Sequence, residues 1–206
     1  MDEALKRQLD DSFRRWEARP RYAELSPAVL QAIPNDMVEQ AIVDFVLAHG
    51  VWRDRELVAL LSSLPEGFAI VYTSRILDAE VANGGFHQYF WNTEGCYIDL
   101  VTRAVARLGS AEHLKILKEA VGIFRAEGKP DVAHLAPREQ LERFSDSARA
   151  SDLGSLDTRW FALGDLAAAR VRFVREIPGL FVARLPLITR MKLAIGKVLR
   201  GRRTSA

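Results

Sequence analysis

Residues 80–95, EVANGGFHQYFWNTEG, decide the fold of this chain. Asn83-Gly84-Gly85 is a helix stop, because glycine enters the left-handed region without a Cβ penalty and Asn tolerates it. Phe86, Tyr89 and Phe90 then recur at offsets 0, 3 and 4, the spacing of one helical face. The stretch therefore predicts a helix, a sharp joint, and a short second helix driven into a core, with Trp91 and Gly95 leading to the next turn. Gln88 and Asn92 are four apart and share one face of that second helix. Glu80 lies near the C-terminal end of the first, where a carboxylate opposes the helix dipole and needs a partner. Two readings follow: Glu80, Gln88 and Asn92 tie helix to turn, or they line a ligand pocket.

Working outward, almost every segment keeps the helical period. Phe68, Val71, Tyr72, Ile76 and Ala79 mark a helix over 65–82, opened by a Ser63–Glu66 capping box with Pro65 in its first turn. Helix 97–108 buries Ile98, Val101, Val105 and Leu108. Ser110 is placed to cap helix 111–126, which buries Leu114, Leu117, Val121 and Phe124. Pro137 starts a short helix with Leu141 and Phe144, and a polar loop covers 145–155. Residues 156–176 read as one last core helix carrying Trp160, Leu163, Ala167, Val171 and Val174. Upstream, Leu5, Leu9, Phe13 and Trp16 form a stripe. Asp36 with Glu39 is a capping-box pattern before Val38, Ile42, Phe45 and His49, and Asp54 is placed to cap a helix with Leu57, Leu60, Leu61 and Leu64 inward. Only 180–186, LFVARLP, has a β tinge. The expectation is an all-α, single compact multi-helix domain of about eight helices. N-terminal helices (1–50) pack on a core (51–179), and a basic amphipathic C-terminal helix closes the chain (180–206).

The composition is that of a folded globular chain: 206 residues, 49% hydrophobic and 27% charged. One cysteine, Cys96, forms no internal disulfide, which suits a reducing compartment. With four scattered histidines it builds no zinc set, so no metal and no cofactor are expected. The N-terminus is charged from Asp2 and has no apolar run, unlike a signal peptide, and no stretch is long and apolar enough to span a membrane. A cytoplasmic location is the expectation. The net charge of +2 conceals an asymmetry: residues 22–100 carry −8, and residues 101–206 carry +9. Such a split speaks of partners rather than of fold.

The quoted stretch also resembles the DNA-mimic protein family, whose shared element is similar to E-x-x-N-G-G-F-x-Q-[YF]-F-x-N-x-x-G. Its positions here are Glu80, Asn83, Gly84, Gly85, Phe86, Gln88, Tyr89, Phe90, Asn92 and Gly95. The resemblance covers roughly residues 55–176. It implies an all-helical, non-enzymatic fold that binds proteins by presenting acidic side chains spaced like DNA phosphates. It also implies dimerisation and a transcription factor's DNA-binding surface as the target. The motif implies fold more than function. Of the motif positions only Glu80 is acidic; from the charge distribution of this chain, Asp54, Glu56, Glu66, Asp78, Glu80, Glu94 and Asp99 form an anionic patch or are ordinary solvated helix surface and caps. The chain departs from the family's acidic balance, since its pI is ≈ 8.8. Mimicry would then rest on the 22–100 face alone.

Other classes stay open. A toxin or nuclease is as fitting a target as a DNA-binding regulator, which would make the protein immunity- or antitoxin-like. After Glu176 there is no acid, but seven bases remain. On a wheel of about 100° per residue, Leu187, Ile188, Met191, Ala194, Ile195, Val198 and Leu199 fall within an arc of about 140°, opposite Arg190, Lys192, Lys197 and Arg200. Such a tail docks on its own core or a dimer mate, lies on anionic lipid, or makes an electrostatic contact with nucleic acid or with the acidic face of another copy; it lacks the Trp typical of lipid interfaces. Standard catalytic motifs are missing. A Cys96–His87 pair, or a pocket behind Gln88, Asn92 and His87, are the enzyme alternatives, and His49 reads as structural.

Overall fold

The computed structural model describes residues 2–128 and 135–194. Within them the α-helices run as α1 (Glu3–Ala18), α2 (Pro27–Ala32), α3 (Asn35–Leu47), α4 (Asp54–Ser63), α5 (Glu66–Thr93), α6 (Ile98–Arg107), α7 (Ala111–Glu127), α8 (Pro137–Ala150), α9 (Gly154–Leu163) and α10 (Ala167–Glu176). A 3-10 turn (Pro178–Phe181) follows, and residues 187–194 are helical again. β1 (Glu24–Leu25) and β2 (Ala183–Arg184) form a minimal antiparallel pair, Glu24 facing Arg184 and Leu25 facing Ala183. The β tinge at 180–186 thus becomes a clasp between the two ends of the domain.

α5 is the axis. It packs against α3, α4, α6, α9 and α10 and against the 3-10 turn. Its first half buries Phe68, Val71, Tyr72, Leu77 and Val81, and its second half buries Phe86, Tyr89 and Phe90. Rings interlock along it: Phe45 stacks on Phe68, Phe68 meets Phe181 edge-on, Phe86 meets Trp160 edge-on, and Phe90 lies flat on Phe124 with centroids 4.4 Å apart. This places one contiguous hydrophobic core around α5, with Phe86, Tyr89 and Phe90 after the joint inside it.

Several local expectations change. The 156–176 segment is two helices, broken at Gly164, whose φ of 80° lies where other residues strain. α8 runs on to Ala150 and absorbs most of the anticipated polar loop, while Leu141 points outward, 64% exposed. The stripe of α1 also stays at the surface: Leu5, Leu9, Phe13 and Trp16 are all exposed. No expected capping box forms at Asp36/Glu39, Ser63/Glu66 or Asp54. Pro34, Arg53 and Pro65 occupy those N-cap positions without a side-chain cap bond. Glu39 and Asp54 are drawn to distant partners instead, and Ser63 bonds back to the Leu60 carbonyl.

Candidate functional site

At the joint, Gly84 and Gly85 leave helical geometry (φ −167°, ψ 28° and φ 76°, ψ −177°), and α5 restarts at Phe86. The restarted helix is capped from elsewhere. Asp157 of α9 accepts the Phe86 N–H at 2.7 Å. That carboxylate fills the space beside Gly85: a Cβ there would stand 2.7 Å from Asp157 Cγ. A carboxylate at a helix N-terminus satisfies an orphan donor and faces the positive end of the dipole. Burial raises the Asp157 pKa, and the Phe86 N–H works against that shift. Asp157 could not have been found from the sequence, because it lies 71 residues from the helix it caps.

Glu80, Gln88 and Asn92 come together as a network. Both amide groups donate to Glu80 Oε2, at 2.9 Å from Gln88 and 2.8 Å from Asn92. The network braces the two halves of α5 across the joint. Asn83 is exposed at the bend, and Gly95 lies under the Phe124 ring. The ten motif positions thus form a bend, its brace and its buried ring cluster.

This brace brings Glu80 no counter-charge. Both partners of Glu80 are neutral amides, and no cation among the described residues forms an ion pair with it. Asp54 has the same character: the Tyr97 hydroxyl donates to its Oδ1 at 2.7 Å. Burial, and then the bond to Asp54, raise the Tyr97 pKa beyond the usual phenol range, so the phenol remains a neutral donor. Burial, then Asp54, also raise the pKa values of Tyr72 and Tyr89. Asn92 and Tyr97 are five residues apart, so their Cα atoms lie within about 17 Å. The turn between them holds Glu94, exposed and left-handed at φ 52°, and exposed Asp99 follows at once. Glu80 and Asp54 are thus tied to the two ends of the 92–97 segment, which carries Glu94 and is followed by Asp99.

The other predicted acids part company. Asp78 is buried, not surface-borne: its Oδ2 takes Arg170 Nη1 at 2.5 Å and the Leu166 N–H at 2.8 Å. Arg170, 3% exposed, also holds Glu39 at 2.8 Å. Asp44 is clasped by Arg19 at 2.7 and 2.9 Å, and Glu24 pairs with Arg184 at 2.6 Å. Glu56 sits beside Arg53 at 3.7 Å, and Glu66 lies exposed at the far end of α5, in a hollow shared with Arg103. Much of the −8 of residues 22–100 is thus met inside the molecule.

The enzyme alternatives find little to join them. His87 packs on Trp91 and Phe144, with Nε2 3.0 Å from Ser147 Oγ, and burial lowers its pKa. Cys96 instead neighbours Tyr89 and Tyr97. A cavity of ≈ 210 Å³ does lie beside His87, lined by Phe90, Trp91, Phe124 and Ser147, but Gln88 and Asn92 are turned to Glu80. His49, in the turn after α3, lies 3.1 Å from the Phe45 carbonyl of that helix. Among the described residues, no group of three or more His, Cys, Asp or Glu side chains is placed to hold a metal ion, and no helix is long and apolar enough to cross a membrane. In the tail, Arg190 is half-buried and Lys192 exposed, while Lys197 and Arg200 lie outside the described residues.

Comparison with known proteins adds one finding. The family model described as DMP19-like protein matches residues 62–177, more than half of the chain and the whole of the braced joint. No match was found among curated proteins or among solved structures. The chain belongs to the DMP19-like family, a family of DNA mimics.

Proposed function

We propose that this DMP19-like protein is a non-enzymatic binding module that occupies the basic, DNA-contacting surface of another protein. The carboxylates round the 92–99 turn would do this: Asp54, Glu80, Glu94 and Asp99. Glu56 on α4 would extend the patch, and Glu66 would be peripheral to it. The observation that carries the reading is the setting of Glu80, a partly exposed carboxylate fixed by two neutral amides. A phosphate mimic needs its charge both in position and un-neutralised, because a fixed charge costs less ordering on binding and steers a cationic partner at long range.

The partner is a protein with an arginine- or lysine-lined nucleic-acid surface, either a regulator or a toxin. The test is capture from nuclease-treated lysate of the source cell on the immobilised full chain, followed by elution with duplex DNA. DNA-binding proteins released by duplex support the reading. The D54N/E80Q/E94Q/D99N variant should lose them, whereas R190Q/K192Q should keep them. Retention by the acid-neutralised variant would sink the assignment of this surface.

A further inference from the structure

The helix at 187–194 does not dock by the apolar arc that its sequence suggests. Leu187, Ile188 and Met191 are 64%, 68% and 55% exposed. Leu193, outside that arc, packs against the core instead. In the sequence the apolar spacing runs on through Ala194, Ile195, Val198 and Leu199, the last three of which lie outside the described residues. The fold therefore holds a basic amphipathic helix with its apolar side turned to solvent.

The fold also supplies the aromatic anchor that the tail lacks. Trp52, from the connection between α3 and α4, is 70% exposed, and it lines a groove with Thr189, Lys192 and Leu193. Arg19 and Arg21 line the same groove. Its one carboxylate, Asp44, is taken up by Arg19. Beyond Glu176 the sequence carries seven bases and no acid. Near the exposed aliphatic side chains of this helix thus stand the indole of Trp52 and, among the described residues, the bases Arg21, Arg190 and Lys192.

We propose that this side seats the protein on an anionic bilayer, with the 187–194 helix lying in the interface plane and Trp52 at headgroup level. A helix with aliphatic side chains on one side and bases on the other takes that position, and Trp favours that depth. Lys and Arg near an anionic surface add attraction that salt screens. Nucleic acid fits less well, since phosphate contacts would use the bases and leave Ile188 and Met191 in water. A second copy paired along the same arc would set like charges against each other. The surface is built from residues on either side of the 62–177 segment shared with the family, so it stands or falls separately from the acidic patch.

The experiment is flotation of the full chain with phosphatidylcholine–phosphatidylglycerol vesicles and with phosphatidylcholine alone. The expected result is binding to the anionic vesicles only, weakened by salt. I188E/M191E, placed at exposed positions, should lower partitioning on the order of tenfold or more, with its melting curve unchanged. E80Q should float like the parent. Brominated lipid should quench a component of the tryptophan fluorescence that W52F removes. No flotation with anionic vesicles at low salt overturns the proposal, as does undiminished binding by I188E/M191E or quenching that persists unchanged in W52F. A free dimer that I188E/M191E converts to monomer would assign the arc to a second copy. Duplex-DNA retention lost in the same variant, without vesicle binding, would assign it to nucleic acid. Either result also overturns the proposal.

Discussion

Asp78 and Glu80 stand two residues apart on α5 and meet opposite fates. Asp78 faces the interior and is neutralised by Arg170 from α10, 92 residues along the chain. Glu80 faces the joint and is held by Gln88 and Asn92, which fix it without neutralising it. One helix thus carries a carboxylate that works for the fold and another whose charge remains available. The lesson concerns charge counting. The acid excess of residues 22–100 predicted a seven-residue face, but side-chain direction and distant arginines decide which acids present their charge. Removing a buried pair's partner leaves an uncompensated ion, whereas altering a half-exposed carboxylate changes mainly the field outside.

That contrast breaks first, and hardest, at Arg170. R170A strands Asp78 near the core, leaves Glu39 only its longer pair with Arg75 at 3.9 Å, and should cost about 3–5 kcal/mol of stability, read by urea unfolding. A loss below about 1 kcal/mol would mean that water reaches these carboxylates and that the interior network is not structural. Next is G85A, which forces a side chain into positive φ and against Asp157. It should cost about 2–4 kcal/mol. D157A removes the cap supplied across the fold and should cost about 1–2 kcal/mol, with amide exchange quickening at Phe86 before the rest of α5.

E80Q sharpens the comparison. It should move stability by less than about 1 kcal/mol, because an oxygen acceptor remains for the amides, while weakening capture of the cationic partner. D78N should do the reverse, lowering stability more and sparing capture by the folded fraction. Equal destabilisation by the two would make Glu80 a structural residue and remove the main support for the acidic patch.

The smallest effect expected is a pH dependence at His87. Burial depresses its pKa in the folded state, so in the window below the unfolded value of about 6.5 the unfolded chain binds more protons. Stability should therefore fall as pH drops through that value. H87Q should flatten this part of the stability–pH curve, and an unchanged curve would show that other groups cause it.

The helices were legible where one face is greasy over several turns. α5, α6 and α7 lie close to their predicted places because Phe68, Val101 and Leu117 recur with neighbours at helical spacing. The joint was legible too, since Gly84-Gly85 before Phe86, Tyr89 and Phe90 permits few conformations, and Glu80 was paired with the right amides. Caps were read less well. Asp36, Asp54 and Ser63 looked like N-caps, yet Asp54 binds Tyr97, 43 residues on. The break at Gly164 was hidden by apolar residues that keep helical spacing across it.

By itself, then, the sequence determined an all-helical chain, the bend at Gly84-Gly85, and a basic tail with an apolar arc. These rest on local steric preference and short-range periodicity, which adjacent residues settle among themselves. Only the tertiary structure decided that Asp157 caps the bend, that Arg170 takes Asp78 and Glu39, that Glu80 and Asp54 meet neutral donors, and that Ile188 and Met191 turn outward on the helix whose Thr189, Lys192 and Leu193 share a groove with Trp52. Each of these choices pairs groups far apart in the chain, and no local preference encodes which distant partner will desolvate, neutralise or expose a side chain.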